Sequence, residues 1–358
     1  MPYNPNRKGI PHTRAVTHQG EDEVDQPGTR SPHPIGLLGL GVYLPERVMT
    51  NDEWTEYVDT SDEWIVTRTG IHTRRIAGDE ESTADLALAA ARAALADGAF
   101  EPADIDEIVL ATDTPEVFIP DTAAYVQTRL GVGHIPCYDL GGSGCAGFVL
   151  ALDIARSRAL ADGRRVLVIG VELLTRLMDW EDRNTCVLFG DAAGAAVVGP
   201  DPGAVEIVAA TAGTDGSKSH ILGVEAGGTR VPTTVERVEQ GLHKHVVMRG
   251  REVFREAVSR MSAASHQVLE KAGVSIDDVA LVVPHQANLR ILDAVRKRLN
   301  LPDERVFVNV HKYGNTGSAS VPLALWEARD QGRIKPGDLV LLTAFGAGFH
   351  WAAALLRF

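Results

Sequence analysis

Four segments of the chain carry residue types and spacings suited to covalent or hydrogen-bond chemistry. Cys145 stands in Gly141-Gly142-Ser143-Gly144-Cys145-Ala146-Gly147, where small neighbours permit a sharp turn and close approach of a ligand. An apolar helix reads over 146–161, so its N-terminal dipole is expected to face the sulfur, lower its pKa and favour the nucleophilic thiolate. A buried structural cysteine is the other reading of such a residue. Cys137, in a strand, and Cys186, in an apolar run, are read as structural. His285 follows a buried strand in Pro284-His285-Gln286-Ala287-Asn288 and reads either as a hydrogen-bond donor or as a structural histidine. Asn315, in Tyr313-Gly314-Asn315-Thr316-Gly317, suits a turn or a helix cap. Phe345-Gly346-Ala347-Gly348-Phe349 reads as a loop after a strand over 339–343 and offers backbone N–H groups to an oxyanion. It lacks the Gly-Lys-Ser/Thr ending of a phosphate loop, and no Gly-x-Gly-x-x-Gly opens a helix after a strand.

The elements around these residues alternate between strand and helix. Continuous apolar runs at 108–112 and 166–170 read as buried strands, and 82–96 reads as an alanine-rich helix capped by Ser82 or Thr83. Such a pattern implies a largely parallel sheet covered on both faces. The second half repeats the order of the first at an offset of about 170 residues, a whole-domain duplication. A helix over 254–272 precedes Ile276-Asp277-Asp278-Val279, which echoes Ile105-Asp106-Glu107-Ile108. The segment 306–310 then matches 137–140. Cys145 and Asn315 therefore occupy equivalent strand-to-helix junctions, and His285 follows a strand of the second half. Ligand crevices of open α/β sheets lie beyond the strand C-termini, so the two halves can face these three side chains into one cleft.

Composition bounds the rest. The chain has 358 residues, 44% hydrophobic and 23% charged, as an ordinary globular protein of two domains or one large duplicated one. A net charge of −13 argues against general nucleic-acid binding, although it leaves room for a local basic patch. Three cysteines without CxxC spacing argue against zinc or thioredoxin-like chemistry and suit a reducing cytoplasm. Apolar runs stay at strand length, short of the roughly 20 residues that span a bilayer, and no signal-peptide core is evident. Residues 1–33 are polar and read as a disordered N-terminal extension, ahead of halves over 34–203 and 204–358.

Taken together in their order, these segments resemble the β-ketoacyl-acyl carrier protein synthase III family, over nearly everything from Ile35 to Phe358. Further marks are Thr60-Ser61-Asp62-Glu63-Trp64-Ile65, Arg68-Thr69-Gly70-Ile71, Phe189-Gly190-Asp191-Ala192-Ala193-Gly194-Ala195 and Gly348-Phe349-His350-Trp351. The resemblance implies a thiolase fold, with two pseudo-duplicated halves in a five-layered α/β/α/β/α arrangement, and a homodimer. It implies that Cys145 takes an acyl group from acyl-coenzyme A, and that malonyl-acyl carrier protein is then decarboxylated and condensed with it. His285 and Asn315 would each donate a hydrogen bond to the enolate, and backbone N–H groups of Cys145 and Ala347 would form the oxyanion hole. By position, Trp64 and Arg183 resemble residues that sandwich the adenine, Arg68 a phosphate contact, and Asn288 a pantetheine contact. Arg290 resembles a carrier-protein contact, which Arg249, Arg251 and Arg255 would extend unless they form a solvated helix face. The segment before Pro120 would reach into a partner's acyl pocket with Phe118 and Ile119. No metal and no cofactor is implied, since coenzyme A is part of the substrate.

The chain also departs from the family's common pattern. The loop between Asp139 and Cys145 is one residue longer, and Ala347, Asn184 and Ala352 stand where Gly is common. A relative in a specialised pathway is the second enzymatic reading: a polyketide starter, head-to-head joining of longer chains, or acyl transfer. Degradative thiolases need a second cysteine in the C-terminal glycine loop, and 345–349 has none. A non-catalytic partner subunit would typically have lost the nucleophile.

Overall fold

The computed structural model describes residues 33–358, so the expected extension over 1–33 lies outside the described residues but for its last member. Nine strands hydrogen-bond into one sheet, which divides into two halves of matching topology. In the first, Ile35–Tyr43 pairs antiparallel with Asp191–Pro200, which pairs antiparallel with Val166–Leu173. Next come Glu107–Thr112 and, at the edge, Cys137–Gly141, both parallel to their neighbours. In the second half, Val205–Thr214, His350–Arg357, Leu339–Gly346 and Val279–Pro284 repeat the same directions. Within the sheet, the strands of the two halves pair at Gly36 with Glu206 and Leu37 with Val205.

The expected match between 306–310 and 137–140 holds in position but not in form. The later segment makes a single parallel bridge from Val306 to Val282, then enters the helix Val310–Tyr313. Other boundaries shift as well, and the strand expected over 166–170 runs to Leu173. The last strand before the glycine loop runs through Gly346, and the helix expected over 254–272 begins at Gly250.

Burial accounts for five layers. The helices Gly147–Asp162 and Ser320–Asp330 share one core with inward residues of both halves of the sheet, among them Val109, Val168, Leu281 and Leu342. The helices Thr83–Gly98 and Thr122–Leu130 cover the outer face of the first half, and Gly250–Ala272 and Leu289–Arg298 that of the second. Glu107–Thr112 is buried along its whole length, as its unbroken apolar run requires of a strand covered on both faces. Ser82 caps its helix reciprocally with Asp85, satisfying two N–H groups that the first turn leaves open. No helix of the described residues is long and apolar enough to cross a membrane.

Candidate active site

The nucleophile candidate sits where the two halves meet backbone to backbone. Cys145 lies in the single turn Gly144–Ala146 that leads into the central helix Gly147–Asp162. Across from it, the strand Leu339–Gly346 ends just before Ala347. A Cβ on Gly346 would stand 2.2 Å from the Cys145 nitrogen, and one on Gly144 2.5 Å from the Ala347 nitrogen. Gly144 also has φ +59°, where L side chains are strained. These two glycines bring the backbone nitrogens of Cys145 and Ala347 together beside the sulfur.

His285 reaches the same place from another strand end, and Asn315 from the turn after the helix Val310–Tyr313. His285 directly follows Val279–Pro284 and is 2% exposed. Its Nδ1 lies 2.6 Å from the Ser320 hydroxyl, which in turn accepts from the Gln286 N–H at 3.4 Å. With the hydroxyl proton directed to Nδ1, the ring keeps its proton on Nε2 as a donor. Burial drives its pKa down from 6.5 to about 3, so the imidazole is neutral. Asn315 Oδ1 accepts from the Gly317 N–H at 2.9 Å and lies 4.0 Å from Cys145 Sγ. The oxygen thus serves the turn, as the local sequence suggests, while the amide Nδ2 remains for a ligand. Cys145, His285 and Asn315 all line one cavity of about 1280 Å³.

Two carboxylates absent from the sequence reading complete the floor. Asp113, immediately after Glu107–Thr112, lines the cavity and accepts the Gly144 N–H on Oδ1 at 3.1 Å. Glu172 lies behind it, 1% exposed, and receives the Asp113 N–H on both oxygens, at 3.2 and 3.1 Å. Ser318 and Thr114 hydroxyls also donate to Glu172, at 2.9 and 3.0 Å. Burial raises both carboxyl pKa values, that of Glu172 further, with the Asp113 charge adding to it. A signal existed in the duplication, because Asp113 follows its strand just as His285 follows the matching one. Read for known motifs alone, Thr112-Asp113-Thr114 looks like a loop.

These groups act against the ionisation that the helix terminus is expected to favour. Burial pushes the Cys145 thiol well above 9.0, and Asp113 and Glu172 push it further. Its own backbone N–H and Asn315 act in the opposite direction but are outweighed.

Toward its mouth the cavity becomes basic and aromatic. Trp64, Arg68, Asn288, Arg251 and Arg290 all line it. The Arg68 and Arg183 guanidinium groups lie 4.2 and 4.7 Å from the Trp64 ring centroid. A base held between Trp64 and Arg183 needs about 7 Å, two contact layers, so Arg183 must swing away to admit one. Asn288 caps the helix Leu289–Arg298 through Oδ1, which accepts from the Ile291 N–H at 3.0 Å. Arg249 and Arg255 do not line the cavity among the described residues, and each stands beside a glutamate, Glu252 and Glu256. Phe118 lines the cavity, but Ile119 does not, and both point outward at 80% and 81% exposure. The expected place of Ile119 in the acyl pocket is thus not met within one subunit. No group of three His, Cys, Asp or Glu among the described residues is arranged to hold a metal ion.

Comparison with known proteins agrees with this geometry. Residues 138–216 match the family 3-oxoacyl-[acyl-carrier-protein (ACP)] synthase III, and residues 269–358 match its C-terminal counterpart. The chain is 49% identical to the beta-ketoacyl-[acyl-carrier-protein] synthase III of Symbiobacterium thermophilum, over 90% of this chain and 98% of that one. The crystal structure of the Thermus thermophilus enzyme of that name superimposes with a TM-score of 0.82 at 48% identity, covering 90% of this chain and 99% of that one. A priming β-ketosynthase from the R1128 polyketide pathway superimposes equally well, at 0.82, but with 38% identity over 93% of this chain and 99% of that one. On its sequence and its thiolase fold alike, the chain belongs to the β-ketoacyl-[acyl-carrier-protein] synthase III family of condensing acyltransferases.

Proposed function

We propose that this acyltransferase joins an acyl-coenzyme A primer to malonyl-acyl carrier protein, the initiating condensation of fatty acid synthesis, through an acyl-Cys145 intermediate. The observation that carries the reading is the meeting of Cys145, His285 and Asn315, from three separate segments, on the floor of one cavity. Sulfur suits a two-step transfer because it is both a good nucleophile and a good leaving group. The backbone N–H groups of Cys145 and Ala347 receive the oxyanion of each tetrahedral intermediate. Loss of carbon dioxide from the malonyl thioester then leaves an enolate. Neutral His285, through Nε2–H, and Asn315, through Nδ2–H, stabilise its oxygen. The carbanion attacks the acyl carbon, and Cys145 leaves.

Trp64, Arg183, Arg68 and Asn288 hold the coenzyme A thioester along the cavity mouth. Arg290 and Arg251 form a positive rim on an acidic protein, suited to an acidic carrier, and Arg249 and Arg255 contribute less because glutamates stand beside them. A homodimer covers the apolar segment at Val117, Phe118 and Ile119. A specialised-pathway role is the second reading, and likeness to a polyketide priming synthase favours it. Intact-mass measurement after incubation with acetyl-, branched and longer acyl-coenzyme A thioesters tests both. One added acyl group on wild type and none on Cys145→Ala is the expected result, and the preferred thioester separates the two pathways. Acylation that survives Cys145→Ala would sink the mechanism.

A further inference from the structure

Two donors serve one enolate oxygen only when their separation is fixed, and His285 and Asn315 stand on different segments. Asn315 is held to the first half of the chain. Its N–H donates to Leu188 O at 2.8 Å, and its carbonyl accepts from the Gly190 N–H at 3.0 Å. His285 is held to its own sheet, where its N–H donates to Thr343 O at 2.8 Å. Side chains must then register one segment against the other. Ser320 does so on the C-terminal side of Asn315, through its 2.6 Å contact with His285 Nδ1. On the N-terminal side that part falls to Gln286.

We propose that Gln286 is the positioning residue that sets His285 against Asn315 for decarboxylation. This inference rests on the reading of those two residues as the enolate donors. Gln286 is 1% exposed and does not line the cavity, although His285 and Ala287 on either side of it do. Its side chain meets main chain instead. Nε2 donates to the carbonyl of Pro284, the residue before His285, at 2.8 Å, and to that of Phe307 at 3.1 Å. Oε1 accepts the N–H groups of Asn309 at 2.9 Å and Val310 at 3.1 Å, which open the helix Val310–Tyr313 ahead of Asn315. Both N–H groups and both lone pairs of the amide are thus used, and each bond is costly to lose in a buried place. Among the described residues, no other side chain hydrogen-bonds residues 284–288 to residues 309–315. Glu327 also holds the helix, accepting from Asn309 Nδ2 at 2.9 Å and from Lys312 Nζ, but it ties it to Ser320–Asp330 and not to His285. A carboxylate in place of the Gln286 amide would set an oxygen against the carbonyls of Pro284 and Phe307, so the residue type matches the work.

The test measures malonyl-carrier decarboxylation and Cys145 acylation separately, in single turnover, with melting followed in parallel. Gln286→Met keeps the length of the side chain and removes its hydrogen bonds. It should slow decarboxylation about a hundredfold, the loss expected from a misplacement of about 1 Å, and leave acylation from acetyl-coenzyme A within a few-fold. Gln286→Glu retains the bonds accepted from Asn309 and Val310 and should recover part of the loss. In a His285→Ala background, Gln286→Met should cost no further decarboxylation, because the donor it places is already gone. Gln286→Met at the wild-type rate of decarboxylation overturns the proposal. Equal loss of the two half-reactions, a full further loss in the His285→Ala background, or failure of both Gln286 variants to fold makes Gln286 a structural residue and overturns it as well. Wild type that gains no acyl mass, or His285→Ala that decarboxylates at the wild-type rate, refutes the functional reading itself, a result distinct from the others.

Discussion

His285 can serve an enolate only while it keeps one N–H and carries no charge, and its surroundings secure both. Its pKa in the folded protein, about 3, lies below the 6.5 of a free histidine. Lowering the pH through 6.5 therefore protonates the unfolded chain but not the folded one, so the burial of His285 costs stability progressively toward acid. Activity behaves otherwise: malonyl decarboxylation should stay level as pH falls through 6.5, wherever the protein remains folded. A decline centred near 6.5 in a pH series of carbon dioxide release would mean that the ring titrates normally. Replacing either donor, by His285→Ala or Asn315→Ala, should cost about 3 kcal/mol in the decarboxylation barrier, by analogy with oxyanion-hole deletions. Self-acylation should survive in large part, because these donors act on the enolate rather than on the thiol. Equal loss of the two half-reactions would contradict that division, and single-turnover measurements of each separate the cases.

The elements matter by where they end: Cys145 and His285 stand just past strand C-termini, and Asn315 just past the helix Val310–Tyr313. Gly346 closes its strand with its Cα against the Cys145 peptide, and a methyl group there meets that nitrogen at 2.2 Å. Gly346→Ala should abolish acylation and cost about 1–3 kcal/mol of stability, since backbone rather than a yielding side chain blocks the methyl. A variant with normal melting temperature and normal acyl mass would show that the junction relaxes. The same arrangement explains what the sequence made legible. Cys145, His285 and Asn315 could be read because each lies in a short motif and because the duplication places two of them at equivalent junctions. Asp113 and Glu172 could not be read as a pair, since they follow or end neighbouring strands 59 residues apart and meet only through sheet pairing. The groups that oppose ionisation of the thiol were hidden for the same reason. A helix terminus is visible locally, whereas burial and two carboxylates from other strands are not. Helix and strand ends moved by a few residues where packing, not local propensity, sets the stop, as at Gly346.

For the whole molecule, charge and apolar exposure are distributed unevenly, and each unevenness makes a prediction. A chain of net charge −13 presents exposed Arg251 and Arg290 at the cavity mouth, with no ion pair to either among the described residues. Arg290→Glu should weaken use of malonyl-carrier protein while sparing acylation from coenzyme A thioesters. The deficit should shrink as salt rises, because an exposed charge acts through screened steering. A loss equal in both half-reactions and insensitive to salt would make Arg290 structural. Apolar exposure concentrates elsewhere, at Val117, Phe118 and Ile119, which are 41%, 80% and 81% exposed. Three adjacent apolar side chains left so open are the ones that the proposed homodimer would cover. Phe118 borders its own cavity while Ile119 points away from it, so in a dimer Ile119 is the residue free to enter the partner's acyl chamber. Ile119→Phe should then shift preference toward short primers, with the cost falling on long ones through overpacking. Ile119→Glu should shift sedimentation toward the monomer at concentrations where wild type is dimeric. Acylation rates for acetyl- and longer acyl-coenzyme A, measured beside sedimentation velocity for both variants, decide the matter. An unchanged chain-length ratio in Ile119→Phe, or a fully active wild-type monomer, would remove Ile119 from the partner's pocket.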